Sequence, residues 1–116
     1  MKLSPPLESD EARTLCHYLD LRGICYCHVP NESRHRRHGV KAGVPDLLIF
    51  DYGGRPNCRG VAIELKRISG GKLTDEQENW ILRLRARGWL VFVCKGAAAA
   101  IKVIEELWPL DEGRRG

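Results

Sequence analysis

Hydrophobic and polar positions follow two different periods along the chain, and these periods predict helices and strands. Apolar residues recur every three or four positions from about Leu7 to Arg22, which predicts a helix that begins after Ser4-Pro5-Pro6 and ends at Gly23. Three later segments, ICYCHV, PDLLIFDY and VAIELKR, are bounded by turn residues and are typical of strands. A polar, basic loop over residues 30–43 separates the first two of these strands.

The second half of the chain returns to the helical period. Gly70-Gly71 interrupts the chain, and Thr74 and Gln77 then stand three residues apart in a capping-box pattern that opens a helix. WLVFVC is typical of a fourth strand, and we expect a last helix over Ala97–Leu107, before Pro109. The order helix, three strands, helix, strand, helix predicts an α/β layer fold.

The segment VAIELKR places two charges where a buried strand would gain nothing from them. Side chains alternate along a strand, so Val61, Ile63 and Leu65 share one face. Glu64 and Lys66 lie on the other face, about 6.6 Å apart. One interpretation is a structural salt bridge between them, although buried ion pairs are weak stabilisers.

A second interpretation is a metal-dependent active site that also includes Asp46. This residue begins the preceding strand, so a hairpin would bring its carboxylate to Glu64 and Lys66. Two carboxylates form a hard oxygen site suited to Mg²⁺ or Mn²⁺. Lys66 could orient a water or stabilise negative charge developing on a phosphate. The salt-bridge interpretation gives Asp46 no purpose.

Length and composition fit one domain over residues 1–116, with a frayed tail from about residue 110. The 116 residues are 43% apolar and 29% charged, which is ordinary for a soluble fold. No apolar run approaches the length of a membrane span, and the start of the chain turns acidic where a signal peptide would be apolar. We therefore expect a cytoplasmic protein.

The five cysteines form no C-x-x-C pair, so reduced and mostly buried thiols are expected. Cys25, Cys27 and His28 raise the question of a zinc site. No second ligand pair stands at a zinc-finger spacing, and we favour buried thiols in this strand.

The net charge of +4 is modest, but part of it is concentrated in SRHRRHGVK. This segment is a candidate phosphate-binding loop, and a merely solvated loop is the alternative. The candidate DNA-binding residues are Arg34, Arg36, Arg37 and Lys41.

Beyond these patterns, the chain resembles a known family. GVPDLLIF followed by AIELKR resembles the PD-(D/E)XK nuclease signature, with Pro45-Asp46 and then Glu64-Leu65-Lys66. The segments HVPNE, GVKAGVPDLLIF and GGKLTDEQENWILRLRARGWLVFVCKG extend the likeness to the VRR-NUC family, the virus-type replication-repair nucleases, over about Glu8–Ile104. The resemblance implies a restriction-endonuclease-like core with a mixed central sheet flanked by helices.

The resemblance also implies roles for the matching residues. Asp46 and Glu64 would be metal ligands, assisted by the backbone carbonyl of Leu65. Lys66 would be the catalytic lysine, and Gln77 matches a glutamine that the family carries at the start of the helix after the catalytic strand. For Gln77 the alternative is a purely capping role, and both roles are compatible.

The family carries a further acidic residue on its first helix. Glu8 fits that spacing, ten residues before Tyr18, and lies in line with the apolar Ala12. Glu11 flanks the same apolar stripe and is the alternative.

The implied activity is a Mg²⁺- or Mn²⁺-dependent DNA endonuclease that leaves a 5′-phosphate. Stand-alone members resemble Holliday-junction resolvases in architecture, so a homodimer acting on four-way or other branched DNA is the leading hypothesis. The alternatives are a nuclease for flaps, ends or linear duplex, a DNA-binding module without activity, and a structural partner in a repair complex.

Overall fold

The helices and strands follow one another in the order that the sequence predicts. The structure is a computed structural model, and it describes residues 8–30, 39, 41–51 and 57–110. In this part of the chain the elements are α1 (Glu8–Arg22), β1 (Tyr26–His28), β2 (Leu47–Ile49), β3 (Gly60–Lys66), α2 (Asp75–Ala86), β4 (Trp89–Lys95) and α3 (Ala97–Leu107). The predicted α/β fold is confirmed.

The strands form one mixed sheet in the order β1-β2-β3-β4. β2 pairs antiparallel with both β1 and β3, with Leu47 opposite Ile63 and Leu48 opposite Ala62. β4 runs parallel to β3, and α2 makes the crossover that a parallel pair requires. β3 is therefore a central strand that is paired on both sides.

One face of the sheet packs against α1 and α3. Val61, Ile63 and Leu65 point to this face, as the alternation along β3 predicts, and each is at most 1% exposed. They form the main core with buried side chains of both helices, among them Leu15, Leu19 and Ile104. This burial fixes the register of β3, because a slip of one residue would bring Glu64 and Lys66 into the apolar core.

The opposite face is covered by α2 near β4. Ile81 of α2 packs with Ala62 and Val91, and Leu48 lies at the margin of this smaller cluster. Cys27, opposite Leu48 in the ladder, remains exposed. Within the described residues, this face is therefore covered beside β4 and open beside β1.

The structure corrects the expectation that Cys25 and Cys27 are buried. Both are exposed, because β1 is a short edge strand that none of the described helices covers on the α2 side of the sheet. Cys94 is buried against α1 and α3, and this burial raises the pKa of its thiol to about 11. In the described residues the cysteines are free thiols, as expected.

No helix in the described ranges combines the length and the apolar character needed to cross a membrane.

The loop before β2 approaches α2 closely at Gly43. A Cβ atom at this position would lie 2.6 Å from the backbone carbonyl carbon of Glu76, and Gly43 has φ +89°. Only glycine allows both the conformation and the contact. The contact fixes the segment that leads into Asp46 against the first turn of α2.

Gly43→Ala should destabilise the fold more than Gly70→Ala does. Gly70 has a similar φ of +82° but open space around a Cβ atom, so it measures the backbone strain alone, roughly 1–2 kcal/mol. The overlap at Gly43 should add about 1–3 kcal/mol. Urea unfolding of both variants and the parent checks this, and equal losses would contradict the steric argument.

Candidate active site

The structure brings Asp46 to the charged end of β3. Leu47 pairs with Ile63, so Asp46, one residue before β2, lies at the register position of Glu64. The Leu65 amide N–H donates to Asp46 Oδ2 over 2.6 Å. The convergence of Asp46 with Glu64-Leu65-Lys66 that the hairpin predicts is therefore present.

Glu64 and Lys66 are both buried, at 2% and 6% exposed. Their side chains lie on the α2 face of the sheet, because the alternate residues Ile63 and Leu65 fill the opposite face. Glu64 Oε2 and Lys66 Nζ are 3.9 Å apart, too far for a direct hydrogen bond. The two groups therefore form an ion pair without a direct hydrogen bond.

The side-chain amide of Gln77 joins the two charges. Lys66 Nζ donates to Gln77 Oε1 over 2.8 Å, and Gln77 Nε2 donates to Glu64 Oε2 over 3.0 Å. A neutral amide thus satisfies an ammonium with its oxygen and a carboxylate with its nitrogen. Because each of these charges is buried, each hydrogen bond avoids a large desolvation cost.

Gln77 also completes the predicted capping box. The Thr74 backbone N–H donates to Gln77 Oε1 over 2.9 Å, and the Gln77 N–H donates to Thr74 Oγ1 over 3.1 Å. The same oxygen therefore closes the N-terminus of α2 and accepts from Lys66. Gln77 therefore has both the capping role and the contact with Lys66, and the sequence is compatible with both.

The oxygen donors at this end of β3 fit a hard divalent cation. In residues 8–30, 41–51 and 57–110, no group of three or more His, Cys, Asp or Glu side chains could hold a metal ion. Mg²⁺ commonly binds through one or two carboxylates, with waters and substrate phosphates completing its shell. Asp46, one residue before β2, and Glu64 of β3 are two carboxylates of this kind. Cys25, Cys27 and His28 form no such group.

Of the two candidate acidic residues on α1, the structure describes the side chain of Glu11 but not that of Glu8. The backbone of Glu8 begins α1, but its side chain lies outside the described part of the chain. Glu11 is half-buried, and its Oε1 accepts from the Ala97 N–H over 2.6 Å. This contact with α3 has no local sequence pattern, since 86 residues separate the two partners.

The predicted DNA-binding loop lies mostly beyond the described residues. Arg34, Arg36 and Arg37 are outside them, and Lys41 is exposed. Their contact with DNA remains a prediction.

Two neighbouring residues support this cluster, Pro45 of the signature and Gly71, whose contact the sequence does not indicate. Pro45 is fully buried, which holds the backbone immediately before Asp46. A Cβ atom at Gly71 would lie 3.0 Å from Cβ of Lys66, so this glycine allows the loop after β3 to pack on the lysine. Gly71 is thus a packing contact as well as part of the predicted break.

Comparison with known families agrees with this geometry. The sequence model of the VRR-NUC domain matches residues 17–98, which is more than half of the chain. The chain belongs to the VRR-NUC family. The resemblance found in the sequence is thus confirmed, and it covers the strands and α2.

Solved structures of VRR-NUC proteins share the fold. One, described as a "VRR_NUC domain protein", is 28% identical and has a TM-score of 0.77, and the match covers 93% of each chain. A second, described as "VRR_NUC domain", is 23% identical with a TM-score of 0.63, covering 87% of this chain and 97% of the other. The second supports the fold alone. No curated protein matches the sequence.

Membership of the VRR-NUC family implies a nuclease-type function, and a nuclease domain implies DNA as its substrate.

Gln77→Leu should lower the free energy of unfolding by roughly 2–4 kcal/mol, because unpairing a buried polar group costs about 1–3 kcal/mol. The variant removes an acceptor from Lys66, a donor from Glu64 and the side-chain acceptor of the Thr74 N–H. Thr74→Ala is the matched control, because it removes the side-chain cap alone, worth about 1 kcal/mol. Urea unfolding measures both, and a Gln77→Leu loss no larger than that of Thr74→Ala would show that the bridge stabilises nothing.

Proposed function

We propose that this protein is a metal-dependent endonuclease that hydrolyses DNA phosphodiester bonds. The observation that carries the proposal is the buried Glu64–Gln77–Lys66 bridge beside Asp46. Burying two charges is unfavourable, and replacing such a pair with apolar side chains is often stabilising. A site that needs a fixed ammonium next to carboxylates gives this arrangement a purpose.

Asp46 and Glu64 would hold Mg²⁺ or Mn²⁺ with the carbonyl of Leu65, and Glu8 is the proposed contribution of α1. The bound cation would supply charge neutralisation at the phosphate and activation of water. The Leu65 N–H holds one oxygen of the Asp46 carboxylate, so the orientation of this ligand is fixed by β3 itself.

Lys66 is the proposed catalytic residue. Its ammonium carries three donors, and one of them is directed to Gln77 Oε1. The others are suited to orient the attacking water and to stabilise charge that develops on the scissile phosphate. Gln77 keeps the ammonium in position, because its own amide is fixed by the capping box.

The DNA backbone is proposed to lie across the open face beside β1, where α2 does not cover the sheet. Arg34, Arg36, Arg37 and Lys41 follow β1 in the sequence and are proposed to bind phosphates without reading bases. Such contacts position a nuclease on the duplex but carry no sequence information.

The proposed substrate is branched DNA, most of all a four-way junction, and the proposed assembly is a homodimer. Two sites related by a two-fold axis would cut two strands of a symmetric junction. This step rests on architectural similarity to junction resolvases, so nucleases for flaps, ends or linear duplex remain the competing class.

Cleavage should require both the metal and Asp46. We expect the parent to cut a labelled four-way junction with Mg²⁺ or Mn²⁺, leaving 5′-phosphates, and to stop in EDTA. Asp46→Asn should remain folded and inactive, because the amide loses a charged ligand oxygen. Flap and linear duplex substrates are assayed in parallel, and sedimentation determines the oligomeric state.

Full cleavage by metal-stripped protein would refute the metal dependence. If linear duplex is cleaved as fast as the four-way junction or faster, the protein is a nuclease for flaps, ends or linear duplex and not a junction resolvase. Steeply salt-dependent DNA binding without cleavage under any of these conditions would favour the binding module.

Lys66→Met should fold and bind DNA but cleave slower by about 10²–10³-fold, because the ammonium acts mainly in the transition state. Lys95→Met is the matched control, since Lys95 pairs with Lys66 in the ladder but is exposed. Single-turnover rates at saturating DNA measure the effect. If the Lys66→Met variant cleaves at a rate within a few-fold of the parent, Glu64 and Lys66 form a structural ion pair and Lys66 is not catalytic.

A further inference from the structure

We propose that Glu11 is a positioning residue, which caps α3 from α1 and thereby fixes the end of β3 that carries Lys66. Its catalytic consequence rests on the proposed nuclease function. The cap itself can be tested independently of activity.

The sequence of α3 gives this helix no cap of its own. Its N-cap is Gly96, which has φ +90° and makes no side-chain capping hydrogen bond. The first turn contains no acidic residue and consists of alanines. The first N–H groups of any helix lack partners within the helix, and its N-terminus favours a negative charge. A helix that begins in this way requires an acceptor from elsewhere.

Glu11 provides both the acceptor and the charge. Its Oε1 accepts from the Ala97 N–H over 2.6 Å, and the same oxygen would lie 3.5 Å from a Cβ atom at Gly96. The carboxylate thus lies against the first peptide groups of α3. A charge-assisted hydrogen bond of this kind is stronger than a neutral one.

The adjacent peptide group connects the cap to the catalytic strand. The Gly96 N–H donates to the backbone carbonyl of Lys66 over 3.0 Å. Glu11 therefore holds Ala97, and the neighbouring Gly96 holds Lys66. Since Gln77 binds the ammonium from α2, Lys66 is held at its backbone by the peptide that follows β4 and at its side chain by α2.

This geometry separates Glu11 from a metal-ligand role. A ligand needs its negative charge at the cation, whereas a cap needs an oxygen that faces Ala97. Glu11→Gln keeps an acceptor oxygen of the same reach and removes the charge. Glu11→Ala removes both. The two roles therefore predict different rankings of these variants.

Three measurements on the full chain test the proposal. Amide hydrogen exchange reports the protection of Gly96 and Ala97. Single-turnover cleavage of junction DNA, well below the unfolding temperature, gives the rate at saturating DNA. Titrations give the Kd for DNA and the half-saturating Mg²⁺ concentration. Glu106→Ala is the matched control, because Glu106 is exposed near the other end of α3.

For Glu11→Ala we expect exchange at Gly96 and Ala97 to accelerate by about tenfold or more. The cleavage rate should fall by about tenfold or more, because small displacements of a catalytic group are costly. DNA affinity and Mg²⁺ dependence should stay within about twofold, since neither is contacted by a positioning group. Glu11→Gln should recover most of both losses. Should Glu11→Ala fail to fold, Glu11→Asp, one methylene short of Ala97, replaces it.

Several outcomes would overturn the proposal. Unchanged exchange in Glu11→Ala would refute the cap. Faster exchange with an unchanged cleavage rate would show a structural cap without influence on Lys66. Equal damage from Glu11→Gln and Glu11→Ala, with a higher Mg²⁺ requirement, would make Glu11 a ligand. If the parent cleaves no DNA, the catalytic part falls with the proposed function, while exchange still decides the cap.

Discussion

The amide of Gln77 is the contact on which the candidate site depends. It accepts from Lys66 and donates to Glu64, so two buried charges that lie 3.9 Å apart share one neutral partner. The amide can do this only because Thr74 fixes it at the start of α2. The position of α2 on the sheet is therefore also the position of the ammonium, and packing of Ile81 on Ala62 and Val91 maintains it.

Much of this arrangement could be predicted because its causes are local. The alternation along VAIELKR determined which residues of β3 face the core and which face α2. The hairpin placed Asp46 beside Leu65, and the capping pattern located Thr74 and Gln77 at the helix start. In each case a period or a short spacing carries the information, and such patterns survive without knowledge of the tertiary structure.

Other features could not be predicted because they depend on distant partners. Gly43 is constrained by the backbone of Glu76, and Glu11 by the first peptide of α3. Neither partner is marked by a spacing in the sequence. The exposure of Cys25 and Cys27 has a similar origin, since it follows from the limited reach of α2 across the sheet. Strand propensity alone could not reveal which part of a face stays open.

The hydrogen bonds of the site also differ in the number of residues that separate their two partners. Asp46 meets Leu65 across 19 residues, Glu64 meets Gln77 across 13, and Lys66 meets Gln77 across 11. Glu11 meets Ala97 across 86 residues. Because loop-closure entropy grows with the logarithm of length, the last contact costs roughly 2 kcal/mol more than the Lys66 contact. The groups at the end of β3 are thus joined within one stretch from Asp46 to Gln77, whereas the Glu11 contact ties the first described helix to the last.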